Sequence, residues 1–275
     1  MKQKKIKAAA LAAALLTSVF LGTAAAQQPE EAGYRSLLAG DYELTYQSSK
    51  ESEDKARSIL TQSGNRITYE GTKVKKGFTW QAKAYGKDGN LYRFEDTDDA
   101  QVARVLPLSD LGDPTLDPDE DWTGVYQDLA LPEEMAALCW QDKWTKRPAS
   151  VKAPVFTGSS EKAEGQTTYA CDTYTSDILT QAGTVSGELV YRLLYAEGKL
   201  AKVEKAINFA GKETPLETLT ILTLRELPEG TSLDPAGTPI YEANRGDISD
   251  LLGTPKQVGS FTAASAKEET KDAEK

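Results

Sequence analysis

Between residues 41 and 227 the chain returns repeatedly to a period of two, in runs where alternate side chains are aromatic or aliphatic and turn residues separate the runs. Such runs fold as antiparallel strands with one face toward a core. In 41–48, Tyr42, Leu44 and Tyr46 share one side, opposite Glu43 and Thr45. Residues 56–62 lead through Ser63-Gly64-Asn65 into 66–71, where Ile67 and Tyr69 are in phase; Phe78, Trp80, Ala82 and Ala84 align along the next strand. Asp88-Gly89 is a hairpin signal into 91–95, which carries Tyr92 and Phe94, and 101–106 follows as a further strand before Pro107.

The second half repeats the pattern. A short strand is expected at 155–158 and longer ones at 166–175 and 185–196, the latter with Leu189, Tyr191, Leu193 and Tyr195 in phase. Glu197-Gly198-Lys199 and Gly211-Lys212 then turn the chain into 200–210 and 216–227, a three-strand meander. Leu222 and Leu224 break the phase of Leu219 and Ile221, as burial of both faces or a bulge would require. Helical signals lie at 29–40, 132–144 and 247–252. In the central one Pro132 suits the first position, Glu133 and Glu134 the positive helix end, and Met135, Leu138 and Cys139 one face. Trp140 and Trp144 would share a face there, as anchors on the sheet or as a lid. Residues 109–123, rich in Asp and Pro and without period, read as a loop.

Lys2, Lys4, Lys5 and Lys7 precede an uncharged apolar run at 8–22, and Ala24-Ala25-Ala26 suits a signal peptidase. Residues 1–26 are therefore expected to be an export signal, 27–260 a single domain, and 261–275 a disordered acidic and polar tail. Gln27 stands where a lipoprotein would carry its cysteine, so a soluble periplasmic or extracellular product is expected. No later stretch reaches the roughly 18 apolar residues of a membrane span, so the chain is not expected to cross one. With 32 basic and 42 acidic residues and a net charge of −10, the outer surface should repel nucleic acid.

The chain has no histidine, which excludes histidine-based serine and cysteine triads and HExxH zinc sites. Carboxylate pairs and Lys/Tyr chemistry are left, but no pair stands out. No enzymatic activity, metal or cofactor is expected. Asp117, Asp119, Asp121 and Asp128 are spaced loosely like a calcium loop, yet Pro118 and Trp122 interrupt it, and a solvated acidic loop is the plainer reading. Arg245-Gly246-Asp247 spells an adhesion tripeptide that three residues cannot make specific. The two cysteines, Cys139 and Cys171, read as one disulfide in an exported chain or else as two buried thiols. A bridge would close a loop of about 30 residues and contribute about 3 to 4 kcal/mol by chain entropy.

The segments DYELTYQSS, GNRITYEG, KDGNLYRF, ELVYRLLYAEGKLAKVEKAIN and LETLTILTLRELPEGTSLDP, with the central helical excursion between them, resemble the LolA-like superfamily of exported lipoprotein carriers. The resemblance implies an α+β fold: an antiparallel open half-barrel, a curved sheet with a few helices packed in or over its concave face. It also implies a binding protein that shields a hydrophobic ligand (an acyl chain, a lipid or a lipoprotein anchor) and meets an envelope protein partner. In such a cavity the residues with suitable phase are Tyr42, Leu44, Tyr46, Trp80, Tyr92, Phe94, Tyr191, Leu193 and Tyr195. Any sheet packed on helices requires the same alternation. The alternative on this scaffold is a ligand-free envelope sensor or protein-interaction module. One departure is that the carriers bind cargo without disulfides, whereas a Cys139–Cys171 bridge would tether the central helix to a strand.

Overall fold

The computed structural model describes residues 36–50, 55–74, 77–96, 100–136, 144, 147–245 and 256–262, with the backbone alone at 55, 70–74, 77–83, 96 and 136. The strands are β1 (Tyr42–Ser48), β2 (Lys55–Gln62), β3 (Asn65–Val74), β4 (Gly77–Lys87), β5 (Asn90–Asp96), β6 (Gln101–Pro107), β7 (Val155–Glu164), β8 (Thr167–Leu179), β9 (Val185–Ala196), β10 (Lys199–Phe209), β11 (Lys212–Glu226), β12 (Pro239–Glu242) and β13 (Gln257–Ser260). They form one large curved, unclosed sheet in the order β13-β12-β6-β5-β4-β3-β2-β1-β11-β10-β9-β8-β7. Two meanders, β1 to β6 and β7 to β11, are joined where β11 returns to pair with β1. All ladders are antiparallel except that of β12 with β6.

Local chemistry accounts for most of these strands. The turns at Ser63-Gly64, Asp88-Gly89, Glu197-Gly198 and Ala210-Gly211 each place two successive residues at positive φ, between 49° and 80°. This is the backbone twist that lets a two-residue loop reverse a twisted strand pair, and glycine in the second position adopts it without steric cost. The broken phase in β11 is a bulge: Thr45 faces Thr223 but Tyr46 faces Ile221, leaving Leu222 as the extra residue.

Several elements differ from their sequence pattern. The stretch expected to be a loop holds a 3₁₀ turn at Leu108–Asp110 and leads into helix α1 (Trp122–Asp128), capped by Asp121, whose carboxylate accepts from the Gly124 amide at 2.9 Å. Strand β7 runs to Glu164 instead of ending at Gly158. As an edge strand it needs no apolar alternation, and its second half carries charges. Strands β12 and β13, four residues each, are too short to show a period. Helix α2 spans Glu133–Ala136, and Cys139 and Trp140 lie outside the described residues. Of the expected helix at 29–40, residues 36–39 are described and helical; that at 247–252 lies outside.

Directly opposed residues in an antiparallel ladder share a face. The chain of pairs Tyr42↔Thr61, Thr61↔Arg66, Arg66↔Gly86, Gly86↔Leu91 and Leu91↔Leu106 therefore traces one face from β1 to β6. The helices sit on this inner face. Trp122, Val125 and Leu129 pack on Ala84, Leu91 and Leu106, with Trp144 against Gly86. Leu131 and Met135 pack on the strands of the seam. The outer face of the first meander has its own core, in which Ile67, Tyr85, Phe94 and Ala103 are covered by Leu233 and Phe261.

Phe261, placed by composition at the head of the tail, is 5% exposed, with ring centroids 5.0 Å from Tyr92 and 5.8 Å from Tyr85. Phe261→Ala is expected to lower unfolding free energy by about 3 kcal/mol in urea titration. An unchanged midpoint would mean that the ring adds nothing to this core. Gly86→Ala would drive a methyl into the Trp144 ring, and a loss of about 1 to 3 kcal/mol is expected from overpacking.

Candidate functional site under the inner-face strap

Six of the nine expected cavity residues meet in one cluster. Tyr42, Leu44 and Tyr46 of β1 and Tyr191, Leu193 and Tyr195 of β9 lie on the inner face with Val203 and Leu219 between them and Ile59 of β2 beside them. Tyr92 and Phe94 do not join them. Their neighbour Leu91 belongs to the inner face, so they point outward into the aromatic group around Phe261. Trp80 pairs with Gly71 in the β3–β4 ladder, and its side chain is outside the described residues.

The six are covered by the chain itself. Leu38, Leu131, Met135 and Val151 pack on them, and Tyr42, Leu44, Met135, Tyr191 and Leu193 have 0% exposure. Two open cavities border this cluster: one of 440 Å³ beside Leu37, Asp41 and Leu227, and one of 300 Å³ beside Leu200, Ile221 and Leu224. The segment from Asp128 to Met135 forms a strap over the inner face.

The strap is held by polar groups as well as by apolar packing. Arg66, 3% exposed, donates to the Leu129 carbonyl at 2.6 Å, to the Tyr42 hydroxyl at 3.1 Å and to Thr61 Oγ1 at 3.2 Å. Thr68 donates to the Asp128 carbonyl, and Arg57 pairs with the Asp128 carboxylate at 2.9 Å. A guanidinium suits this role because its planar fork satisfies several acceptors at once.

At the other end of the strap, α2 meets a cluster of charges. The Tyr191 hydroxyl donates to Glu133 at 3.1 Å, and Lys205 of β10 donates to the same carboxylate. Glu134 is 3% exposed and 3.8 Å from Lys205 Nζ. Glu217 of β11 accepts from Ser48 and Lys50. Burial raises the Glu134 carboxyl above its ordinary range, aided by the charges of Glu217 and Glu133 and opposed by its backbone hydrogen bond and Lys205. Burial works against the charge on Glu217 too, but hydrogen bonds from Lys50 and Ser48 and the Lys50 charge outweigh it and hold this carboxyl below its ordinary value. The sequence gives no sign of this charge cluster: its members stand far apart in the chain.

The remaining candidates resolve into structural roles. Asp117 accepts from the Asp119 amide, Asp121 caps α1, and buried Glu120 accepts from the Trp122 indole. Among the described residues no group of three or more acidic or thiol side chains could hold a metal ion. Arg245 is bound by Asp110 at 2.8 Å and Asp113 at 2.7 Å; its hydrogen bond lowers the Asp110 carboxyl, and hydrogen bonds from the Thr115 amide and hydroxyl lower that of Asp113. Cys171 is a free, buried thiol, raised by that burial. It pairs with Leu194 and so points to the outer face, away from Met135. The expected partner, Cys139, is outside the described residues.

No helix among the described residues is long and apolar enough to cross a membrane. No family model matches the chain, and no curated protein does.

Arg66→Leu is expected to cost at least about 2 kcal/mol, since the Leu129 carbonyl and the Tyr42 hydroxyl would lose a buried partner. Arg66→Lys should recover only part of this, because an ammonium on a thinner stem cannot span the same acceptors. Urea unfolding of the two variants measures both.

Proposed function

We propose that the protein is an exported envelope sensor or protein-interaction module whose half-barrel sheet, with helices over its concave side, serves as a scaffold and holds no ligand at rest. What carries this reading is the filling of the inner face: Tyr42, Leu44, Tyr191 and Leu193 have 0% exposure beneath Leu131 and Met135 of the same chain. In packing terms these residues do what a core does, and a guest could enter only by displacing the strap. The acidic balance, −10 over the chain, suits a soluble surface presented to other proteins.

The shielding of an acyl chain, lipid or lipoprotein anchor is the second reading. It is favoured by one observation: six aromatic or aliphatic side chains from β1 and β9 converge under a strap whose regular part is the four-residue helix α2. In that reading the strap stands in the ligand's place and gives way to it.

Mass spectrometry of an organic extract separates the two. Mature protein purified without detergent is expected to yield no stoichiometric lipid; a single lipid class near one per chain would establish the second reading and remove the first. Leu193→Ala should also behave as a core truncation, lowering stability by about 2 to 5 kcal/mol in urea. A loss well under that range would mean that Leu193 borders space and does not fill it.

A further inference from the structure

The sheet parts at one place beside its own seam. The β10–β11 ladder runs from Phe209↔Lys212 to Lys202↔Thr220, whereas β11 continues to Glu226 with β1 alone beside it among the described residues. The start of β10 stays with β9: Leu200 is opposite Tyr195, and Ala201 is the extra residue of a bulge. The 300 Å³ cavity lies in the gap, between Leu200 and Ala201 on one wall and Ile221, Leu222 and Leu224 on the other. We propose that this cleft is a docking site for an extended peptide segment of a partner protein, which adds a strand to the free side of β11 and carries an aliphatic side chain and a carboxylate. Such a site deepens the interaction-module reading, on which it rests, by naming the chemistry of the partner.

The backbone itself selects an extended polypeptide. The Leu227 amide donates to the Asp41 carbonyl at 3.0 Å, which marks that pair as hydrogen-bonded, and Glu43↔Arg225 and Thr45↔Thr223 share its phase. The amides and carbonyls of Leu224 and Glu226 therefore face away from β1, toward the side that β10 has left. A row of such groups is a template for another strand, and natural sheets blunt their edges against it. The outermost strands here are blunted: β7 carries a bulge at Thr157 and charges at Glu161, Lys162 and Glu164, and β13 is four residues long. Ile221 through Leu224 has neither charge nor proline, and Leu222 is 47% exposed.

The lining sets the side chains. Ile221 and Leu224 are half-buried against the inner-face core and give the cleft an apolar floor, which suits aliphatic side chains at alternate positions of an incoming strand. Lys199 is the charged residue that lines the cavity; it is exposed and has no ion-pair partner among the described residues. A carboxylate on the peptide is its complement. An acyl chain would match the floor but would leave the Leu224 and Glu226 backbone groups without partners, so the cleft favours a peptide over a lipid.

Panning a phage-displayed library of random linear peptides on the immobilised mature protein tests the site. Recovered peptides should alternate aliphatic residues and include an acid, and synthetic copies should shift the amide resonances of Leu224 and Glu226. Glu226→Pro removes one amide donor that faces the cleft and none that pairs with β1, so these peptides should bind it on the order of tenfold more weakly. Lys199→Glu should weaken binding on the order of fivefold. If Glu226→Pro does not fold, N-methylation of alternate peptide nitrogens decides on the wild type, where one of the two methylated sets should lose binding. Recovery of no peptide, unweakened binding to folded Glu226→Pro, or binding of both methylated sets would overturn the proposal. So would binding that requires deletion of residues 27–35, which would make the chain's own segment the occupant, or a dimer abolished by Glu226→Pro, which would make it a second copy. Lipid in an organic extract would remove the module reading without altering these readouts, whereas a cleft that takes no peptide would leave that reading intact.

Discussion

The ladder between β1 and β11 is the joint on which the rest of the molecule depends. Tyr42 through Ser48 pair with Glu226 back to Leu219, and through this seam two meanders that would otherwise be separate sheets become one. The inner-face core exists because of it, since Leu44 and Tyr42 reach Tyr191 and Leu193 only when β11 and β10 lie between them. Closing a contact over so long a separation costs chain entropy before the apolar face can repay it, so the seam is a natural late step in folding. The bulge at Leu222 sits within this seam, where it shifts the phase of β11 so that Leu219, Ile221 and Leu224 all pack toward the same core.

The two faces of the second meander divide the labour. On the outer side Lys162 bridges Glu164 and Glu204, Lys202 holds Glu164 at 2.6 Å, and Arg192 takes Glu213 with both terminal nitrogens. Hydrogen bonds from Lys162 and Lys202 lower the Glu164 carboxyl to about 2, so this lattice stays charged across the physiological range. Exposed pairs of this kind stabilise little and mainly keep the face soluble. On the inner side Arg57, Arg66 and Lys205 hold the strap, and buried Asp172 accepts from Ser159.

Much of the strand order could be read before any coordinates. Val185–Ala196 has the bounds its alternation suggests, the Gly64, Gly89, Gly198 and Gly211 turns fall where expected, and the irregularity around Leu222 is a bulge. The strap's chemistry could not be read in this way. Arg66 looks like an ordinary strand arginine until Leu129 is brought to it, and Glu134 looks like a helix-start acid until Lys205 arrives from β10. Phase alone groups Tyr92 and Phe94 with Tyr42, and the register sends them to the other face.

By itself the sequence determined the local matters: where strands run, where they turn, and which side chains along one strand lie on the same side. These follow from backbone sterics and a period of two, both complete within a few residues. The tertiary structure alone decided which sides coincide between strands, that Phe261 belongs to a core, and that Lys205 of β10 reaches Glu133 and Glu134 of α2. The physical reason is that a strand carries its own phase but not that of its neighbours, and a single bulge or one-residue shift reverses every face that follows.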